Sequence, residues 1–292
     1  MFIDIHAHAY RHPFPQIPGR RPFPRPEELI PYYDRCGIEC SALMPLIGPE
    51  YYLPQSNEDI FEMAERFPGR FIPFVNIHPQ AVTNLPNAPL DIILEHYRQR
   101  GAKGVGEVIC NRPILDPYLW NFFGCVQKSG LPMTIHLAHR SGAVYGMIDE
   151  PGLPGLAEVL ASFPKLRILG HSQTFWAEIS VLDTVFDRAG YPTGRVTEGA
   201  VPKLMRRFPN LYGDLSAGSG CNALTRDPEY AVEFLTEFQD RLLFGLDLCS
   251  DPGNAEMAPL AQFLIRLRDE GKISGEIFAK VARENAIRVL GL

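Results

Sequence analysis

Six residues spread along the chain carry ligand chemistry, and each closes an apolar run. They are His6 and His8 in Ile5-His6-Ala7-His8, Glu107 in Gly104-Val105-Gly106-Glu107, and His136 in Thr134-Ile135-His136. The others are His171 in Leu169-Gly170-His171 and Asp247 in Phe244-Gly245-Leu246-Asp247. On an extended strand alternate side chains share a face, so His6 and His8 project about 7 Å apart along the backbone, close enough to share one cation. Neutral imidazole and carboxylate oxygen are the ligand types preferred by Zn²⁺ and similar divalent ions. A single His-x-His is weak evidence, because histidines end strands for ordinary reasons. Recurrence of such residues at five strand ends gives the pattern its weight.

Positioning them requires strands that end together. Eight short apolar runs can be picked out: Phe2–His6, Glu39–Pro45, Phe71–Asn76, Ala102–Val108, Pro132–His136, Leu166–His171, Leu211–Leu215 and Leu242–Asp247. Helical stretches between them carry start and stop signals. Examples are Pro26–Arg35 ended by Gly37, Asn57–Arg66 ended by Pro68-Gly69, Asp116–Lys128 ended by Gly130, and Pro228–Phe238. Strands alternating with helices imply parallel βαβ units, and eight units in 292 residues imply an α/β fold, a closed (β/α)8 TIM barrel forming one domain over residues 1–292. In that fold the carboxyl ends of the strands converge on one mouth, where the chemistry sits. Two connections exceed what a barrel needs and are read as long mouth loops after strands one and six. The first holds six prolines between Pro13 and Pro26, with Arg20, Arg21 and Arg25 among them. The second runs from Ser172 to Asn210 and is expected to hold two helices separated by Gly190-Tyr191-Pro192-Thr193-Gly194.

Bulk properties exclude several classes. Hydrophobic content of 46% and charged content of 21% are those of a soluble globular chain. A net charge of −6 with scattered basic residues leaves no footprint for nucleic acid or an anionic membrane. No apolar run is long enough to span a bilayer, and a polar His-x-His at residue 6 leaves no room for a signal peptide. Cys36, Cys40, Cys110, Cys125, Cys221 and Cys249 include no Cys-x-x-Cys pair, and are read as reduced thiols of a cytoplasmic protein. A closed barrel has no free sheet edge, so any homodimer would form through helices or mouth loops.

The strand-end set resembles the amidohydrolase superfamily of metal-dependent barrel enzymes, in particular the branch that also contains decarboxylases acting on unsaturated and aromatic acids, such as those like aminocarboxymuconate-semialdehyde decarboxylase. The resemblance covers essentially the whole chain. It rests on Ile3-Asp4-Ile5-His6-Ala7-His8, on His136, and on Ile168-Leu169-Gly170-His171. Leu242-Leu243-Phe244-Gly245-Leu246-Asp247 and the closing Glu284-Asn285-Ala286-Ile287-Arg288-Val289-Leu290-Gly291-Leu292 complete it. The resemblance implies one metal held by His6, His8, His136 and Asp247, with His171 free. Glu107 departs from the mononuclear pattern. Binuclear hydrolases of the superfamily place a bridging carboxylate there, which leaves open a second ion on Glu107, His136 and His171, or a Glu107 that only orients a ligand.

The leading expectation is a hydrolase that uses a metal-activated water on a small-molecule C–N or C–O bond (amide, lactone or ester), with zinc as the expected ion. Asp247 is the expected proton acceptor, and His171 the group that polarises the carbonyl or binds the second ion. The alternative is a metal-dependent non-oxidative decarboxylase or hydratase of an unsaturated or aromatic carboxylic acid, and a third reading is a non-catalytic barrel that keeps the metal for stability. Arg112 and Arg140 are candidates to clamp an anionic substrate group, and Tyr145 and Trp176 to stack on a ring. The run Ser216-Ala217-Gly218-Ser219-Gly220 could offer backbone N–H groups to an oxyanion. His78 and His139 face either substrate or solvent. Asp4, by alternation, is expected in the barrel interior below His6, where a buried carboxylate needs a partner. Cys249 lies two residues past Asp247 with no base evident beside it, which argues against a thiol nucleophile.

Overall fold

The computed structural model describes residues 1–13, 18, 22–51 and 54–292. Arg20 and Arg21 of the proline-rich connection lie outside the described residues. The strands are β1 (Phe2–Ala7), β2 (Ile38–Leu43), β3 (Phe71–Val75), β4 (Gly104–Val108), β5 (Met133–Ala138), β6 (Met147–Ile148), β7 (Ile168–His171), β8 (Leu211–Asp214) and β9 (Leu242–Leu243). All pair in parallel in the order β1-β2-β3-β4-β5-β7-β8-β9, and the two-residue β6 extends the end of β5. The ring closes where the Ile5 N–H donates to Phe244 O at 3.1 Å and the Asp247 N–H to His6 O at 2.7 Å. This is the expected (β/α)8 barrel in a single domain.

Strands covered on both faces need continuous apolar sequence, and that is why these runs show little alternation. Ile3, Ile5, Ala42, Phe74, Leu169 and Leu243 belong to five different strands yet form one buried cluster, which is possible only inside the barrel. Ala286, Val289 and Leu290 of the last helix close it at the end away from the mouth. With Ile3 and Ile5 pointing in, Asp4 points out toward the helix Pro26–Cys36, where it accepts from the Tyr33 hydroxyl at 3.1 Å. The expectation that Asp4 faces the interior is therefore corrected. A register shift between Asp4 and Ala7 breaks the alternation and turns His6 back toward the mouth.

Helix ends follow the predicted signals. Asp116 caps Pro117–Ser129 by accepting from the Tyr118 N–H at 2.9 Å, and Gly130 ends it in the left-handed region at φ 73°. Ser56 caps Asn57–Arg66. The long connection after β7 holds a five-residue helix (Gln173–Ala177), a 3₁₀ turn (Val185–Ala189) and the helix Ala200–Arg207, three short pieces rather than two helices. No described helix is long and apolar enough to cross a membrane.

Candidate active site

Strand β1 with the residue just past it, β4 and the segment after β9 bring four donor side chains to one point at the mouth. His6 Nε2 lies 3.2 Å from His8 Nε2, 3.5 Å from Glu107 Oε2 and 3.7 Å from Asp247 Oδ1. His8 Nε2 lies 3.3 Å from Glu107 Oε2 and 3.4 Å from Asp247 Oδ1. Donors around a tetrahedral zinc with bonds of about 2.0–2.2 Å stand roughly 3.3–3.6 Å apart. The spacings of His6 and His8 to each other and to the two carboxylates are close to those of a metal cage.

The remaining oxygens face elsewhere. Glu107 Oε1 meets His136 Nδ1 at 2.6 Å and His171 Nε2 at 3.7 Å, and Asp247 Oδ2 lies 3.7 Å from His171 Nε2. Glu107 thus turns one oxygen to the His6–His8 pair and the other to His136 and His171. Gly106, at φ 149° and hard against the Thr134 backbone, lets the chain deliver Glu107 there, a conformation an L side chain rarely adopts. Asp247 itself sits at φ 53°, in the left-handed region that Asp tolerates better than most residues.

A second set of groups fixes the imidazoles. His8 Nδ1 donates to Met44 O at 3.0 Å and His6 Nδ1 to Asp214 Oδ2 at 2.6 Å, so both Nε2 atoms face the centre. Ser216 Oγ stands 3.2 Å from His6 Nδ1 and 3.0 Å from His171 Nδ1. Sequence reasoning missed Asp214, and named Ser216 only for its backbone, not for the hydroxyl that meets the two imidazoles. The signal in the sequence was a carboxylate inside the apolar run Leu211–Leu215, one residue before its end.

The electrostatics follow from burying so many titratable groups together. Burial alone would lower the His8 pKa, but its hydrogen bonds to Asp247 and Glu107 outweigh this and raise it to about 9. For His171 burial dominates, reinforced by the neighbouring His6, and brings it down to about 4, so its imidazole is neutral near pH 7. Burial pushes Asp247 upward, yet the charge of His6 and the hydrogen bond from His8 hold it well below the usual carboxylate range. A cluster of buried carboxylates and imidazoles of this kind is costly without a cation to organise it. Because His8 keeps its proton up to about pH 9, a metal ion must displace it. Zinc affinity of the chelator-treated protein is therefore expected to rise about tenfold per pH unit from pH 6 to 8 for each proton released. Calorimetric titration in buffers of different ionisation enthalpy checks this, and a flat profile with no proton release would contradict it.

The centre opens into a cavity of about 440 Å³ lined by His8, Glu107, His136 and Asp247 together with Phe23, Tyr51, Tyr145, Cys249 and Ser250. Tyr145 is part of this lining, 5.4 Å from Tyr51 and 5.9 Å from His136 between ring centroids. Trp176 is not: it is 1% exposed, packs on Phe175 and Phe234, and donates its Nε1–H to Asp214 O at 2.7 Å. Arg112 is committed to Asp116 at 2.8 Å and lies over Tyr118, away from this cavity. Arg140 is exposed and likewise absent from the lining. The run from Ser216 starts the helix Ala217–Thr225; its Ser216 N–H is taken by Asp214 Oδ1 and its Ala217 N–H by Leu246 O, while Ala217 and Ser219 line an adjoining hollow beside His171. His139 lines the same hollow, whereas His78 stands apart with Glu50 and Cys110. The Cys249 thiol donates to Asp247 Oδ1 at 3.2 Å, an arrangement that keeps it protonated.

Comparison with known proteins places the fold and the family. No curated protein matches the chain. Among solved structures, 5-carboxyvanillate decarboxylase from Sphingomonas paucimobilis superposes with a TM-score of 0.60 at 21% identity, covering 91% of this chain and 82% of that one. A probable 2-pyrone-4,6-dicarboxylic acid hydrolase from Acinetobacter baumannii gives 0.60 at 12% identity, covering 100% and 99%. A 5-carboxyvanillate decarboxylase from Novosphingobium aromaticivorans, solved with bound manganese, gives 0.57 at 15% identity, covering 90% and 80%. At these identities the likeness is one of fold. The amidohydrolase family profile, by contrast, matches residues 3–292, through every strand that delivers a donor to the mouth, and the chain therefore belongs to the amidohydrolase family of metal-dependent enzymes.

Proposed function

We propose that the protein is a hydrolase with a two-ion centre that cleaves a C–N or C–O bond beside a carbonyl in a small molecule such as an amide, lactone or ester. The observation that carries this reading is Glu107, whose two oxygens face two different sets of imidazoles. His6, His8, Asp247 and Glu107 Oε2 would hold one ion, and Glu107 Oε1, His136 and His171 the other. The proton now joining His136 to Glu107 is what the second ion would replace. Zinc fits the imidazole and carboxylate donors best, and manganese is also compatible with them.

Divalent ions held there supply Lewis acidity and lower the pKa of a water from 15.7 to roughly 7. The side chains do the rest. Asp247, ionised and partly open to the cavity, accepts the proton of the attacking water and returns it to the leaving group. Asp214 and Ser216 hold His6 and His171 in the tautomers that keep Nε2 on the centre. Tyr51 and Tyr145 present flat apolar walls that orient a planar substrate.

Non-oxidative decarboxylation of an aromatic or unsaturated acid is the second reading. It is favoured by the aromatic lining and by the decarboxylases among the similar structures. Metal content per chain separates the two when combined with assay of amide, lactone and ester panels against CO₂ release from aromatic acids. Two ions in the wild type falling to one in Glu107→Ala, with loss of ester or amide hydrolysis, is the expected result. One ion indifferent to Glu107→Ala, together with CO₂ release from an aromatic acid, would replace the hydrolase reading with the decarboxylase one.

A further inference from the structure

Three donors of different chemistry meet at a second place on the barrel rim, on segments that follow β2, β3 and β4. One carboxylate oxygen of Glu50, a ring nitrogen of His78 and Cys110 Sγ all lie within 4.8 Å of one another. Cys110 Sγ is 4.0 Å from His78 Nε2, and Cys110 is 3% exposed. Glu50 Oε1 accepts the Asn111 N–H at 2.9 Å, while its buried Oε2 has no hydrogen-bond partner among the described residues. The loop is shaped around that carboxylate. Gly48, at φ 153°, lies so close to it that a Cβ there would collide with Glu50 Oε2. A buried carboxylate oxygen aimed beside a thiol and an imidazole, with no donor to satisfy it, is unfavourable as it stands. A cation bound by all three would resolve the mismatch.

We propose that Glu50, His78 and Cys110 form a cation site separate from the catalytic centre, with a thiolate–imidazole–carboxylate donor set suited to Zn²⁺ or another thiophilic divalent ion. Binding releases the Cys110 proton, so that thiolate, imidazole and carboxylate carry a net charge of −2 toward the ion. The imidazole proton moves from Nε2 to Nδ1, which displaces the long 3.3 Å hydrogen bond from the Gln80 N–H. The fourth position is left to water. Such an ion ties the loop after β2 to the ends of β3 and β4. Tyr51, which follows Glu50 directly, forms part of the catalytic cavity wall, so the site fixes one face of that cavity.

Cobalt(II) titration of the chelator-treated full chain tests the proposal, because a thiolate ligand to Co²⁺ gives a strong near-ultraviolet charge-transfer band. Neither donor group at the catalytic centre contains a cysteine. The expected result is a saturable band in the wild type that is lost in Cys110→Ser and kept in Cys249→Ser. In Glu50→Gln the band is expected to need at least about tenfold more cobalt. Cobalt bound by the wild type without a thiolate band overturns the site, and so does a band that disappears with Cys249→Ser instead. Should Cys110→Ser lose its native circular dichroism, Glu50→Gln and His78→Gln, which leave the buried thiol in place, decide alone. Unchanged cobalt affinity of the band in both then overturns the proposal.

Discussion

Replacing Asp247 with asparagine is expected to lower turnover of the preferred substrate by about a thousandfold while leaving the fold intact. The backbone argument comes first. Asp247 sits at φ 53°, and Asn occupies the left-handed region as readily as Asp, so the substitution adds no strain. The Asp247 N–H to His6 O bond, which helps close the barrel between β9 and β1, is untouched. What disappears is an ionised oxygen pair held close to His6, His8 and His171. An amide in the same place can neither accept the proton of the attacking water nor return it. The loss should appear in kcat more than in KM, because the group acts on the reacting atoms rather than on substrate binding. A decrease of less than tenfold, with metal content intact, would remove Asp247 from the proton-transfer role.

Much of this site could be read from the sequence, and the parts that could not have physical reasons. Buried parallel strands are written as unbroken apolar runs, and their ends are marked where polar ligands replace apolar residues, so His6, Glu107, His136, His171 and Asp247 stand out. The run Leu242–Asp247 reads as one strand, but only Leu242 and Leu243 pair with β8. Gly245 then passes close to Ser216 and Asp214, and the chain turns to deliver Asp247. Asp214 was hidden because a lone carboxylate in a buried run has no partner visible in sequence; its partner, His6, is 208 positions away. Trp176 misled for the opposite reason. Five residues after His171 it reads as mouth loop, yet the helix Gln173–Ala177 folds the indole down onto the barrel wall. Arg112 carries its own explanation in the sequence, since Asp116 stands four residues on, at the spacing of an ordinary ion pair.

The largest effect on stability is expected at Asp4, where alanine should cost about 3–5 kcal/mol and asparagine much less. Asp4 Oδ1 accepts the N–H groups of His6 at 3.0 Å and Leu246 at 2.9 Å. Its Oδ2 accepts from the Tyr33 hydroxyl at 3.1 Å and the Ser41 hydroxyl at 2.9 Å. Alanine strands four buried donors, whereas asparagine keeps an acceptor for the two backbone amides, and the two hydroxyls can turn to accept from its NH₂. Burial raises the Asp4 pKa from 3.8 to about 7 against those hydrogen bonds. The folded-state pKa lies above the unfolded one, so the group stabilises fully below about pH 3.8 and loses that contribution as pH rises through 7. Asparagine cannot titrate. Its deficit relative to wild type should therefore shrink between pH 4 and 7 in paired urea denaturations, and a deficit that is constant or grows over that range would contradict a raised Asp4 pKa. The same oxygen that joins the His6 and Leu246 amides also ties the metal-binding end of β1 to the residue before Asp247. Asp4→Ala should consequently weaken zinc binding as well as the fold, and asparagine, which keeps both amide bonds, should preserve it.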